Sequence, residues 1–169
     1  MSTQPLVNWG IIGAGRIAHK FGRDLALVND SQLLAIASRS QESAHKFAAE
    51  FNIPKVYLGY DDLYHDPDID IIYVATPHNF HYEQTKQALL AGKSVLCEKP
   101  ITISPAEFIE LSKLAKQKGL FLMEAMWSYF LPATLQAQQW VNEGKIGTIK
   151  HIKAEFGYHV PYEPEGRMY

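Results

Sequence analysis

The sequence is expected to fold as an α/β protein whose main part is a doubly wound parallel sheet. Three observations lead there. Short β-rich runs alternate with amphipathic stretches through the first two-thirds of the chain. Several of those runs are continuously apolar, Ile71-Ile72-Tyr73-Val74-Ala75 being the clearest, which is the pattern of strands buried on both faces. A glycine-rich turn joins the first strand to the first helix. Strand, helix and strand in that order imply right-handed crossovers.

Strands are expected at Val7–Ile12, Leu33–Ala37, Lys55–Leu58, Ile69–Ala75, Ser94–Cys97 and Leu120–Glu124. Between them, helical patterns cover Arg16–Leu27, Glu42–Phe51, Asp61–His65, Phe80–Ala91 and Pro105–Lys118. Ser104-Pro105-Ala106-Glu107 opens the last of these with a capping serine, proline at the first helical position and glutamate at the third. Gly92 and Gly119 stand where a left-handed residue closes a helix. After Glu124 the rhythm changes. Pro132–Glu143 reads as a helix closed by Gly144, and Thr148–His159 alternates like a strand with one face buried. Ile152, Ala154, Phe156 and Tyr158 share one side of it, and His151, Lys153, Glu155 and His159 the other. That strand has no partner in the chain, and the tail Pro161–Tyr169 shows no closing element. Residues 125–169 number 45, fewer than the roughly 60 with which small domains commonly fold alone. The expectation is a nucleotide-binding domain over 1–124 and the incomplete start of an α+β antiparallel-sheet domain over 125–169.

Composition narrows the function. The 169 residues carry 16 Lys+Arg against 18 Asp+Glu, a net charge of −2. A nucleic-acid or anionic-membrane surface needs a basic excess, so neither partner is expected. One cysteine cannot form an internal disulfide. No apolar run approaches the ~20 residues of a membrane span, and Met1–Asn8 lacks the features of a signal peptide. A cytoplasmic setting is the plain reading.

The glycine turn carries chemistry. Asn8 to Ala18 ends a strand in Gly-x-Gly-x-x-Ala and opens a helix. In that context Gly13 allows a sharp turn, Gly15 lets backbone approach a pyrophosphate, and Ala18 keeps the helix near the sheet. The N–H groups at Arg16 and Ile17 face the anion with the positive end of the helix dipole. Arg16 itself reads either as a phosphate or adenine contact or as a surface charge. At the end of the second strand stands Ser38-Arg39-Ser40, with no acid before Glu42. Arginine pairs with a 2′-phosphate that a carboxylate would repel, and the serines add hydroxyls, so NADP is expected over NAD. A solvated loop charge is the other reading of Arg39.

Three further strand ends should meet at the same carboxyl edge. They supply Thr76-Pro77-His78-Asn79-Phe80-His81, then Glu98-Lys99-Pro100, then Glu124-Ala125-Met126-Trp127. Lys99 at a strand end can be held near a carboxylate and a substrate hydroxyl, where partial burial lowers its pKa towards neutrality. The alternative is a structural ion pair with Glu98. His78 and His81 lack a third ligand at suitable spacing, so no metal is expected. Either histidine reads as a substrate or nicotinamide contact or as a polar residue at a helix start. Trp127 reads as a pocket wall or as core, and Cys97 as a buried small hydrophobe.

Gly-Ala-Gly-Arg-Ile-Ala at 13–18, Glu-Lys-Pro at 98–100 and Gly-Lys-Ile-Gly-Thr-Ile-Lys at 144–150 together resemble the glucose-fructose oxidoreductase/inositol dehydrogenase (Gfo/Idh/MocA) family. Asn52–Tyr57 and Phe121–Trp127 look like its branch of dimeric dihydrodiol dehydrogenases and NADP-dependent D-xylose dehydrogenases. The resemblance implies a Rossmann domain followed by an α+β domain often used for homodimerisation. It implies that Lys99 assists proton transfer or holds the substrate oxygen. Thr76, Pro77, Asn79 and Glu98 join the cofactor contacts, with His81 and Trp127 near a sugar or cyclic diol substrate. Ser128-Tyr129 stands where relatives often carry Thr-Arg, which leaves the substrate open. Family members run to roughly twice this length, with further acid/base partners beyond the stretch present here. Two functions therefore stand: an NADP-dependent oxidoreductase represented by its N-terminal part, or a catalytically silent dinucleotide-binding module.

Overall fold

A computed structural model describes residues 5–157 and His159. Its elements are β1 (Val7–Ile12), α1 (Arg16–Leu25), β2 (Ser31–Ser38), α2 (Gln41–Phe51), β3 (Lys55–Leu58), α3 (Asp61–His65), β4 (Ile71–Val74), α4 (His81–Leu90), β5 (Ser94–Cys97), α5 (Pro105–Lys118), β6 (Leu122–Glu124) and α6 (Pro132–Asn142). The six strands form one parallel sheet in the order β3-β2-β1-β4-β5-β6. The expected doubly wound α/β architecture is therefore present.

Successive strand residues go to opposite faces, and both faces are covered, which is why the runs are continuously apolar. One core joins Ile12, Ala37, Ile72, Val74, Val95 and Cys97 to Leu63 of α3, Leu89 of α4 and Leu111 of α5. The other joins Ile11, Ile36, Tyr73 and Ala75 to Ala18 of α1 and Phe47 of α2. Helix α1 stops at Leu25, two residues short of the expected end, and Leu27 is exposed. A Cβ at Gly22 would lie 2.9 Å from the Phe51 ring, so glycine is what lets α1 and α2 approach here. The cap expected for α5 is formed: the Ser104 hydroxyl accepts from Glu107 N–H, and the Glu107 carboxylate accepts from Ser104 N–H.

The chain divides into compact units after Met126. The second holds a 3-10 turn (Trp127–Phe130) and α6. Here one expectation is corrected. Residues 148–157 form no strand, and Ile152 and Phe156 are exposed at 75% and 86%. Alternating side chains favour a strand only when backbone N–H and C=O groups find a ladder to join, and residues 148–157 join none of the described strands. Tyr158 and the tail Pro161–Tyr169 lie outside the described residues.

At the amino end of β4 a polar network holds the incoming loop. Lys55 Nζ donates to Asp66 at 2.8 Å and to Asp68 at 2.7 Å, and the Tyr57 hydroxyl donates to Asp66 at 2.9 Å. The buried Lys93 Nζ donates to the carbonyls of Asp66 (2.6 Å) and Ile69 (2.9 Å). Burial opposes charge on Asp66, but Lys55, the Asp68 N–H and Tyr57 outweigh it and hold its carboxyl below the ordinary carboxylate range. The stability this confers is fully present above the unfolded pKa of about 4 and is lost as pH falls through the lower folded value. Asp66→Asn is expected to lose about 2 kcal/mol at pH 7, measured by urea unfolding. The gap to the parent protein should narrow as pH drops below about 4.

Candidate active site

Backbone bonds carry the strand ladder to one edge. Gly13 N–H donates to Ala37 C=O, Ala75 N–H to Ile12 C=O and Glu98 N–H to Val74 C=O, each at 2.9 Å, and Ala125 N–H donates to Cys97 C=O at 2.7 Å. The segments following β1, β2, β4, β5 and β6 therefore leave the sheet side by side. Between β1 and β4 the direction of winding reverses, and such a switch point opens a crevice outside the carboxyl ends.

The turn after β1 lies at that crevice. Gly13 has φ +96°, and a Cβ there would meet the Ala75 carbonyl oxygen at 3.1 Å and Thr76 Cγ2 at 3.2 Å. Gly15 differs: a Cβ there would meet nothing within 4 Å, so its missing side chain leaves open backbone. Helix α1 has no side-chain cap and no acid in its first turn. Its first return bond runs from His19 N–H to Gly15 C=O, so the N–H groups of Arg16, Ile17 and Ala18 have no helical acceptor. Ala18 is wholly buried against the sheet, while Arg16 and Ile17 are exposed. An open glycine, uncommitted donors and a positive helix end fit a pyrophosphate.

The segment after β2 divides its work unequally. Ser43 donates its hydroxyl to Ser40 C=O, so in the Ser38–Ser43 pair it is Ser38 that donates. The Ser38 oxygen also accepts from Ser40 N–H, and the residue is 8% exposed. Within this chain the loop itself engages the Ser38 hydroxyl. The Ser40 oxygen accepts from Ser43 N–H and caps α2. Arg39 is exposed, with its guanidinium carbon 5.2 Å from the centre of the Phe80 ring. That contact draws an arginine from β2 towards an aromatic from the β4 side, across the mouth of the crevice.

Beyond β4, the Thr76 hydroxyl donates to Gln84 Oε1, and Pro77, His78 and Asn79 are exposed at the edge. His81 lies deeper than its neighbours. It is 1% exposed, with Nε2 2.8 Å from Thr76 C=O and Nδ1 2.8 Å from Pro100 C=O. With a ring nitrogen against each of two backbone carbonyls, it braces two site loops.

The Lys99 segment is held from three directions. Glu98 Oε2 accepts from Lys99 N–H at 3.2 Å, His81 meets Pro100 C=O, and Glu124 Oε1 accepts from Ile101 N–H at 2.9 Å. The other Glu98 oxygen accepts from the Tyr73 hydroxyl at 2.7 Å. Glu98 thus grips the Lys99 backbone; among the described residues the Lys99 ammonium has no ion-pair partner. Lys99 is also exposed, so the partial burial expected for it is not found in this unit. Cys97, just before it, is buried in the apolar core, and burial pushes its thiol up to about 12, which leaves it inert. Tyr73 and Gln84 escape sequence reasoning, and Glu124 enters it only as part of a strand end. Glu124 closes a strand and Tyr73 lies inside an apolar run, where both pass for framework. Trp127 begins the second unit in its 3-10 turn and is exposed. The described residues include no cluster of three or more His, Cys, Asp or Glu suited to a metal, and no helix long and apolar enough to cross a membrane.

With the crevice, glycine mouth and Lys99 edge in place, comparison with known proteins becomes informative. The family GFO_IDH_MocA, oxidoreductases with an NAD-binding Rossmann fold, matches residues 7–126. The chain belongs to this family. It is 41% identical over 160 residues to trans-1,2-dihydrobenzene-1,2-diol dehydrogenase of Mus musculus, covering 94% of this chain and 48% of that protein. The Xenopus tropicalis enzyme of the same name is 42% identical over 165 residues, covering 95% and 50%. The chain thus spans about half the length of these relatives. A solved 3-ketoreductase from Actinomadura kijaniata, in complex with NADP and TDP-benzene, superposes with a TM-score of 0.77 at 34% identity, covering 83% of this chain and 43% of that one. Scyllo-inositol dehydrogenase from Lactobacillus casei, with NAD(H) and scyllo-inositol bound, gives 0.78 at 28%, covering 84% and 42%. The Gfo/Idh/MocA chain therefore carries a nucleotide-binding Rossmann domain of an oxidoreductase family.

His81→Leu removes the buried imidazole that bridges the Thr76 and Pro100 carbonyls. It is expected to destabilise the domain by about 1–3 kcal/mol in thermal unfolding and to speed amide exchange at Ile101, the loop's nearest backbone donor.

Proposed function

We propose that this domain serves an NADP-dependent oxidoreductase that moves a hydride between nicotinamide and a secondary alcohol or hemiacetal, on a sugar or a trans-dihydrodiol. The observation that carries the proposal is the single sheet edge shared by an anion-ready helix start at Gly13–Ile17 and a braced Lys99. Gly13, Gly15, Arg16 and Ile17 take the pyrophosphate with backbone donors. Arg39 takes the 2′-phosphate, with Ser40 beside it and Ser38 supporting the loop from within. Thr76, Pro77, Asn79 and Glu98 border the nicotinamide half on the β4–β5 side of the switch point. A bound nicotinamide supplies the hydride acceptor or donor.

Lys99 manages the remaining charge. When a C–H bond of the alcohol gives up its hydride, the hydroxyl on the same carbon must lose its proton; in reverse the carbonyl oxygen must gain one. Lys99 holds that oxygen and passes the proton, and its pinned backbone limits the search for that geometry. The names of the relatives, diol and inositol dehydrogenases and a ketoreductase, favour a polyhydroxylated or diol substrate.

A second reading, binding without turnover by this chain alone, is favoured by the exposed Ile152 and Phe156 and by the half-length match. Titration calorimetry with NADP and NAD, followed by an assay for NADPH with D-xylose or a trans-dihydrodiol, separates the two. Binding with no NADPH selects the second. Arg39→Asp is expected to weaken NADP by about 30-fold or more while leaving NAD little changed, because repulsion replaces a charge-assisted pair. Equal losses for both coenzymes would refute the 2′-phosphate assignment.

A further inference from the structure

We infer that Tyr73 is a positioning residue of the reaction end, linking the helix at the phosphate mouth to the Lys99 backbone through Glu98. The inference rests on the NADP reading above and deepens it. Tyr73 lies inside β4, 2% exposed, in a run otherwise built of aliphatic residues. A buried tyrosine needs a partner for its hydroxyl. In register it pairs with Leu96, and Glu98 is the diagonal neighbour on the same face, within reach of a long side chain. The bond to Glu98 is 2.7 Å and charge-assisted. Glu98 then spends its other oxygen on Lys99 N–H.

The ring makes the second half of the link. Tyr73 stacks on Phe21 of α1, with centroids 4.0 Å apart and planes 24° from parallel. Helix α1 is the one whose first turn offers its N–H groups at the glycine mouth. One side chain therefore touches the element that binds phosphates and the carboxylate that sets Lys99. Burial, reinforced by Glu98, drives the phenol pKa far above its ordinary value, so the hydroxyl remains a donor at any working pH. Phenylalanine would keep the stack on Phe21 and leave one Glu98 oxygen without its partner.

Two measurements on Tyr73→Phe test this, with the thermal midpoint recorded to verify folding. In the ligand-free chain, amide exchange at Lys99 is expected to quicken about tenfold. In titrations, NADP is expected to weaken about tenfold, while adenosine 2′,5′-bisphosphate, which lacks the nicotinamide half, binds as before. Glu98→Gln should reproduce the selective loss, and the double variant should lose no more than Glu98→Gln alone, because Tyr73 acts through that carboxylate. Unchanged Lys99 exchange, or equal weakening of both ligands, overturns the inference. If the unaltered chain binds neither ligand, the cofactor reading falls by itself. Lys99 exchange then decides Tyr73: faster exchange in Tyr73→Phe supports the link, and unchanged exchange ends it.

Discussion

The seam between β1 and β4 is the constraint on which the site depends. Parallel pairing there sets Ile12 opposite Val74 and brings the turn after β1 against the one after β4. Gly13 closes the seam, because any Cβ would press into the Ala75 carbonyl. A parallel ladder also delivers every strand's carboxyl end to the same side, so residues far apart in sequence emerge together. Gly15, Arg39, Asn79 and Lys99 come from four separate connections and share one edge for that reason alone.

Rigidity and access are divided between neighbouring residues at this edge. Glu98 from the loop itself, His81 from α4 and Glu124 from β6 hold three consecutive backbone positions. The Lys99 side chain that they frame stays exposed. Such an arrangement holds a flexible ammonium on a stiff base. Arg39 follows the same logic at the other end, resting on Phe80 rather than trailing in water.

The second unit illustrates how far local pattern can be trusted. Helix α6 forms where expected because each of its backbone bonds lies within the segment. The alternating stretch that follows contains every side-chain signal of a strand, yet it stays irregular at 148–157. A strand's bonds lie outside it, and residues 148–157 pair with none of the described strands.

Most of the sheet and the phosphate turn could be read from residues in order, since periodicity, caps and glycine placement act over a few positions. The strands at Val7–Ile12, Lys55–Leu58 and Ser94–Cys97 carry the same bounds in expectation and structure. The roles of His81, Ser38 and Tyr73 could not be read that way. His81 and Tyr73 depend on partners far along the chain, Pro100 and Glu98, while the Ser38 hydroxyl is engaged by Ser43 within its own connection. Residue type announces that a polar group needs a bond; whether that bond is spent within the framework or left for a ligand is settled only when distant strands close on one another.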